Sequence, residues 1–260
     1  MGFVIAVSQA KGGSAKTTTT VNLAGALKEL GYRVVVADMD KDKPDAVTWA
    51  RNGPYIDFVV PLYDEKPLEP IERLKSKYDF VLLDTPPNYM PAAFKAIMLS
   101  DLVMLPCSPS FLDQHNLSDA ISVPQMAQKP FKIVGVRVQK RQNISEKLIR
   151  ELKKTGYAFE AFITLKTALA ESAFQGKWVG DYAPNSESHD EFKELARELV
   201  KMFGFEIGKK DASKANKGQS NGQDNSTSSG PDKDLQKASN EKQSTSPAQN
   251  DHQADYRERI

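Results

Sequence analysis

The stretch Lys11-Gly12-Gly13-Ser14-Ala15-Lys16-Thr17-Thr18 lies between an apolar run, residues 3–8, and a segment with helical periodicity that extends to Leu30. Adjacent glycines allow a tight backbone turn, and the amide groups that follow would point from a helix start towards an anion. A lysine followed by a hydroxyl residue suits a triphosphate, because the lysine neutralises the β- and γ-phosphates and the hydroxyl ligates Mg²⁺. We therefore expect residues 11–18 to bind ATP, with Lys16 and Thr17 in these two roles.

The loop departs from the standard pattern G-x-x-x-x-G-K-[ST] at two positions. Ala10 and Ala15 stand where that pattern has glycine. The Cβ of Ala15 restricts the backbone turn just before Lys16. We expect this alanine to slow nucleotide binding or to shift the loop, and not to abolish binding.

Two further apolar runs end on acidic residues. Residues 33–38 lead into Asp38-Met39-Asp40, and residues 80–84 end on Asp84, followed by Thr85-Pro86-Pro87. Ligands of open α/β sheets bind at the carboxyl ends of the strands. One carboxylate of the first pair can sit in the outer shell of Mg²⁺ while the other orients an attacking water, and Asp84 can hold the hydration shell opposite Thr17. These residues predict a metal site at Thr17, Asp84 and one of Asp38 and Asp40; a solvated acidic turn is the alternative for Asp38 and Asp40.

Apolar runs and helical periods alternate along residues 1–205. The predicted strands are 3–8, 33–38, 56–60, 80–84, 102–106, 131–138 and 159–164. The predicted helices are a segment ending at 30, then 68–77, 112–127 with an interruption at Pro124, 146–155, 167–175 and 189–203. Runs without polar alternation are typical of strands covered on both faces. The pattern predicts an α/β domain with a doubly wound, mostly parallel sheet and helices on both faces.

Composition limits the remaining possibilities. Residues 206–260 are polar and contain no Phe or Trp, so we predict a disordered tail. The net charge is +1, so any DNA binding must come from a local basic patch. The only cysteine, Cys107, excludes an intramolecular disulfide and is interpreted as a buried small residue. Neither a signal peptide nor a membrane-spanning run is predicted, which favours the cytoplasm.

A second lysine, Lys11, stands immediately before the glycines. With it, residues 11–18 resemble the deviant Walker A motif K-G-G-x-x-K-[ST]-[ST] of the ParA/MinD family of ATPases, and residues 78–87 resemble that family's h-h-h-D-T-P-P segment. The resemblance covers residues 1–205 and implies a P-loop fold. It also implies that Lys11 reaches the partner's phosphates in a nucleotide-sandwich homodimer. By the same resemblance Asp40 positions the attacking water and Asp38 lies beside the metal, so that the metal site is Thr17, Asp38 and Asp84. Lys11, Lys16 and Asp40 are then the catalytic residues.

The resemblance also implies a biological role. The family's usual D-x-D-P-Q is replaced after Asp40 by Lys41-Asp42-Lys43-Pro44, which puts contacts from that stretch in question. The last residues have no apolar face for a membrane helix, and one cysteine is too few for an iron–sulfur relative. What remains is a small ParA-type protein that binds the DNA of the nucleoid non-specifically as an ATP dimer. A ParB-like or other adaptor protein would stimulate hydrolysis and so position a cargo.

The predicted DNA surface is a basic cluster between Lys129 and Lys154, with a second group on the C-terminal helices. Ordinary solvated helix faces are the alternative explanation for either group. Adenine recognition is expected near the end of strand 131–138 and around Pro184. The competing function is a metabolic ligase similar to dethiobiotin synthetase, which would hydrolyse ATP only with its small substrate.

Overall fold

The computed structural model describes residues 2–88, 91–109 and 117–205. Its strands are β1 (Phe3–Val7), β2 (Val34–Asp38), β3 (Val59–Pro61), β4 (Phe80–Asp84), β5 (Leu102–Cys107), β6 (Phe131–Val138) and β7 (Ala158–Thr164). The helices in these ranges are α1 (Lys16–Glu29), α2 (Asp45–Arg51), α3 (Leu68–Lys77), α4 (Pro91–Leu99), α5 (Leu117–Met126), α6 (Asn143–Thr155), α7 (Thr167–Phe174), α8 (Val179–Tyr182) and α9 (Glu187–Met202). The tail predicted for residues 206–260 and the first residues of the helix predicted at 112–127 lie outside the described ranges.

The strands form one seven-stranded sheet in the order β3-β2-β4-β1-β5-β6-β7, with every pair parallel. The predicted doubly wound, parallel α/β fold is therefore confirmed. β4 lies between β1 and β2, and its register pairs Asp84 with Val7 on one side and with Asp38 on the other. The carboxyl ends of β1, β2 and β4 thus meet at one edge of the sheet.

Helices cover both faces of the sheet because alternate strand residues are apolar on each side. On one face, Ile5 and Leu82 belong to a core that includes Leu27 of α1 and Leu195 of α9. On the other face, Val4 and Ala6 belong to a core that includes residues of α3 and α4. Cys107 is fully buried at the end of β5, as predicted.

Residues 178 and 179, at the start of α8, contact helix α1, which follows the phosphate loop. The Asn22 side chain accepts a hydrogen bond from the Val179 N–H at 2.7 Å and donates one to the Thr18 carbonyl at 2.8 Å. Trp178 lies so close to Gly25 that a Cβ there would come within 2.3 Å of the indole ring. These contacts fix where the first turn of α1 points.

Four elements differ from the sequence prediction. Helices α2, α4 and α8 were not predicted, because α2 and α8 are short and α4 has a mostly apolar sequence without a clear polar face. Helix α5 passes through Pro124 and ends two residues later at Met126, so the proline does not interrupt it. A proline so near the end of a helix removes one backbone donor, and few helical bonds follow it. None of the helices within 2–88, 91–109 and 117–205 combines the length and apolarity needed to cross a membrane.

Candidate functional site

The loop between β1 and α1 is shaped by two left-handed residues. Gly13 has φ 72°, and Ala15, the N-cap of α1, has φ 66° and ψ 24°. Since no side chain caps this helix start, the first N–H groups of α1 remain available to an anion, as the sequence predicts.

Ala15 stands where the standard motif has glycine, and its backbone conformation explains why glycine is usual at that position. The left-handed region disfavours any residue with a Cβ, at a cost of about 1–2 kcal/mol. Ala15 nevertheless adopts that conformation, so the loop keeps the turn that glycine would make. Whether the alanine slows nucleotide binding stays a prediction.

The loop lines a cavity of about 360 Å³. Its wall consists of Gly12, Gly13, Ser14, Ala15, Lys16, Thr17, Thr18, Asp40, Asp42, Lys43, Asp45, Asp84, Thr85, Pro87 and Arg137. Of the predicted site residues, the structure therefore brings together Gly12 through Thr18 with Asp40 and Asp84. Lys11 and Asp38 do not line this wall.

Thr17 and Asp84 are in direct contact. The Thr17 hydroxyl donates a hydrogen bond to Asp84 at 2.7 Å, and Thr20, which the sequence reasoning missed, donates a longer one to the same carboxylate at 3.3 Å. Among the described residues there is no group of three or more His, Cys, Asp and Glu side chains that could hold a metal ion. A divalent cation at Thr17 and Asp84 would therefore take further oxygens from water or a bound phosphate, which is how Mg²⁺ is commonly held.

Burial sets the charge states of the site. It raises the pKa of Asp84 to about 7, against the opposing effects of the Thr17 hydrogen bond and the nearby Lys16 charge. Burial also lowers the pKa of Lys16, which Asp84 and Asp40 partly oppose. Burial disfavours the charged forms of both Asp84 and Lys16. A metal-bound phosphate brings opposite charges to both groups, so such a ligand is favoured at this site.

Asp38 and Asp40 have different surroundings. Asp38 is fully buried, and its two oxygens accept the Asp40 and Val47 backbone N–H groups at 3.0 Å each. Burial is the main cause that raises the pKa of Asp38. Asp40 is half-buried and reaches the cavity wall, where its carboxylate accepts the Lys43 N–H at 2.9 Å. Asp38 thus shapes the loop that carries Asp40, and its place in the metal's outer shell stays a prediction.

The segment after β4 is tied to the phosphate loop. The buried Thr85 hydroxyl donates to the Val7 carbonyl at 2.9 Å, and the Asn88 N–H donates to the Ala10 carbonyl at 2.6 Å. Gln9, which the sequence reasoning also missed, accepts the Ala10 N–H and donates to the Pro106 carbonyl. A conformational change at residues 85–88 would therefore alter the backbone at the base of the phosphate loop.

Lys11 is half-buried at the start of the loop. Its carbonyl oxygen accepts a hydrogen bond from the Lys16 Nζ at 3.4 Å, so the Lys16 ammonium contacts the backbone of Lys11. Since its side chain is absent from the wall of the chain's own cavity, nothing in this geometry assigns it to the phosphates of the same chain.

A second cavity of about 170 Å³ adjoins the first. The ends of β6 and β7 and the helix α7 line it with mainly apolar side chains. The adenine position expected near the end of β6 stays a prediction. Pro184 lies instead on a different cavity, with Trp178 and His189. Of the residues that the structure describes, Ala15, Thr18 and Arg137 line both the first and the second cavity.

Many cations of the predicted DNA surface have local partners. Lys153 pairs with Glu160 at 3.1 Å and Lys154 with Glu151 at 3.0 Å, and Lys140 pairs with Glu187. In the second group, the paired cations are Lys166, Lys193 and Arg197. Within the described ranges, Lys147 and Arg150 on α6 are exposed and make no ion pair. The part of the predicted DNA surface whose cations lack ion-pair partners among the described residues is therefore smaller than its number of lysines and arginines suggests.

Comparisons with known proteins show similarity to a family of nucleotide-binding domains. The model of the CobQ/CobB/MinD/ParA nucleotide binding domain matches residues 5–179. The sporulation initiation inhibitor protein Soj of Bacillus subtilis is 26% identical over 250 residues, which cover 77% of this chain and 99% of Soj. The maintenance of carboxysome distribution protein A of Gloeobacter kilaueensis is 34% identical over 208 residues, which cover 75% of this chain and 93% of the relative.

Among solved structures, the septum site-determining protein MinD of Pyrococcus horikoshii, complexed with Mg-ADP, matches with a TM-score of 0.68. It covers 78% of this chain and 98% of its own, at 22% identity. A likeness at that identity concerns the fold alone.

Proposed function

Because this chain belongs to the CobQ/CobB/MinD/ParA nucleotide-binding family, we propose that it is an ATPase that dimerises on ATP and positions a cargo on DNA. The observation that carries the proposal is the single cavity in which Lys16, Thr17, Asp40 and Asp84 converge. The related proteins' names, which concern sporulation initiation and carboxysome distribution, support a positioning role.

Several residues of the cavity wall have roles in the proposed hydrolysis. The N–H groups at the start of α1 bind phosphate oxygens, and the buried Lys16 ammonium neutralises the terminal phosphates. Asp40 accepts a hydrogen bond from a water and orients it towards the γ-phosphate. Thr17 and Asp84, with Asp38 in the outer shell, would hold Mg²⁺, which when bound would neutralise charge on the β- and γ-phosphates. Thr85 and Pro87, on the same wall, contact the terminal phosphate and transmit its loss to the loop.

Dimerisation depends in this proposal on Lys11. Its side chain is not on the wall of its own cavity, and in this proposal it reaches the phosphates of a second copy. A cation supplied across an interface stabilises charge in the transition state as an arginine finger does. The active species is then a homodimer with two ATP molecules between its protomers.

Paired substitutions test this assignment. Lys16→Ala should abolish ATP binding by the monomer, whereas Lys11→Ala should keep monomer binding and lose ATP-dependent dimerisation and hydrolysis. Calorimetry measures the binding, and light scattering after size exclusion measures the mass with ATP and with ADP. If Lys11→Ala dimerised with ATP as the unaltered chain does, the role of Lys11 would be refuted.

DNA binding is proposed for the exposed face of α6. Lys147 and Arg150 lie one turn apart there without ion pairs in the described residues, so DNA phosphates would face no local competitor. The test compares the double variant Lys147→Ala/Arg150→Ala with a matched double variant on the same helix, Lys153→Ala/Lys154→Ala. The first pair should lower ATP-dependent duplex affinity about tenfold and reduce the salt slope by about 2, and the matched pair should change affinity less than about threefold. Equal effects of both pairs would refute this surface.

Stimulation by partners separates the proposal from a ligase. A positioning ATPase turns over slowly alone and faster with DNA and an adaptor protein, and the DNA would place it on the nucleoid. A ligase similar to dethiobiotin synthetase requires a small carboxylate for turnover. Phosphate release measured with duplex DNA, and separately with a panel of small carboxylates, distinguishes the two.

A further inference from the structure

Arg137 adopts a left-handed backbone conformation inside a strand. Its φ is 55°, although its neighbours Val136 and Val138 are buried members of β6. The pairing of β6 with β7 shifts register between Gly135 and Val138, around this residue. A non-glycine residue is disfavoured in this region, and residues held there cluster at binding and catalytic sites.

The strained backbone places the side chain between two cavities. Arg137 lines both the cavity of the phosphate loop and the neighbouring apolar cavity, together with Ala15 and Thr18. It is the one charged residue among these three. The backbone distortion therefore coincides with the boundary between the two spaces.

The guanidinium of Arg137 is exposed and makes no hydrogen bond or ion pair within residues 2–88, 91–109 and 117–205. By contrast, Lys140 nearby on the chain is paired with Glu187. A planar guanidinium suits phosphate oxygens, which it binds through two parallel hydrogen bonds. An unpaired arginine beside the start of α1 adds to the positive potential that favours an anion.

We propose that Arg137 is a nucleotide-binding residue that contacts the α-phosphate, and this rests on the ATP site proposed above. With the terminal phosphates beside Lys16 and the base in the apolar cavity, the α-phosphate and ribose must cross the boundary where Arg137 lies. Directing the Arg137 side chain to that boundary requires the strained backbone conformation. Arg137 thereby acts on every nucleotide with an α-phosphate and does not distinguish ATP from ADP.

Arg141 is a matched control for this proposal. It is also an exposed arginine with positive φ, 80°, but it lines a separate cavity beside α6 and not the phosphate cavity. Glycine relieves backbone strain at both positions, so we expect neither Arg137→Gly nor Arg141→Gly to lower Tm. Arg137→Gly should raise the Kd for Mg-ATP and for Mg-ADP by the same factor, roughly tenfold. Arg141→Gly should leave both Kd values unchanged.

Isothermal titration with Mg-ATP and Mg-ADP measures all four changes. Equal Kd values for Arg137→Gly and the unaltered chain would overturn the proposal, and so would a loss confined to ATP, which would place Arg137 on the γ-phosphate. If Arg137→Gly unfolded, Arg137→Asn, which tolerates positive φ without the charge, would replace it with the same expected loss. If the unaltered chain bound neither nucleotide, the ATP site itself would be refuted together with this inference.

Discussion

The Thr17 hydroxyl donates a 2.7 Å hydrogen bond to Asp84, a residue 67 positions further along the chain. The bond joins the first turn of α1 to the carboxyl end of β4 and puts two oxygen ligands side by side at the cavity wall. Asp84 is also almost completely buried, so its ionisation should affect both the proposed metal site and the free energy of unfolding.

The first prediction concerns Asp84 and pH. Its pKa, about 7 in the folded chain, exceeds the value of about 3.9 expected on unfolding. Between these values the folded state binds more protons, so the free energy of unfolding should fall as pH rises from about 4 to 7. Asp84→Asn should remove this loss and stabilise the protein at pH 8 by on the order of 2–4 kcal/mol. Urea denaturation with EDTA and without nucleotide, from pH 4 to 8, measures the difference.

Hydrolysis of ATP by the same variant provides a second measurement. Asp84→Asn should also weaken Mg²⁺-dependent hydrolysis, since the amide is a poorer ligand than a carboxylate. A variant as stable as the unaltered chain at both pH 4 and pH 8 would contradict the buried-acid explanation.

Ala15→Gly should stabilise the protein. Glycine adopts φ 66° without a Cβ clash, although it also gains entropy in the unfolded chain, so we expect a net gain of about 0.5–1 kcal/mol. Ala170→Gly, at an exposed position within α7, is the matched control and should cost about 1 kcal/mol. Chemical denaturation compares them; destabilisation by both changes would show that strain at Ala15 is negligible.

Gly25→Ala should destabilise the protein, although alanine is the better helix former by about 1 kcal/mol. The new Cβ would approach the Trp178 ring to 2.3 Å, and overpacking of this kind costs about 1–3 kcal/mol. In a Trp178→Leu background the same change should cost less. Thermal unfolding of the four proteins gives the coupling, and a gain in stability from Gly25→Ala alone would rule out the close contact.

Asp40→Asn should separate binding from chemistry. Asp40 reaches the cavity wall, and its carboxylate accepts a hydrogen bond from the Lys43 N–H. We expect its substitution to change the Kd for Mg-ATP only a few-fold. Loss of the water-orienting carboxylate should lower kcat by at least about 100-fold. Asp42→Asn, an exposed acid on the same wall, is the matched control, and equal kcat values for both variants would argue against the role of Asp40.

The sequence alone determined the phosphate loop and the parallel sheet. Gly13, Lys16 and Thr17 belong to a local pattern whose chemistry depends on near neighbours, and unbroken apolar runs such as β4 have only one common environment, a strand covered on both faces. The convergence of Asp40 and Asp84 on one cavity also followed, because parallel strands bring their carboxyl ends to one edge.

Only the tertiary structure decided the rest, because burial and pairing depend on residues distant in sequence. It showed that Asp38 is bonded to the backbone at 40 and 47, that Lys153 and Lys154 are neutralised by acids, and that Arg137 stands at the boundary of two cavities. It also explained Ala15, whose left-handed conformation is imposed by the turn between β1 and α1. A residue's type predicts what chemistry it can perform, whereas its partners in the fold determine which of that chemistry remains available.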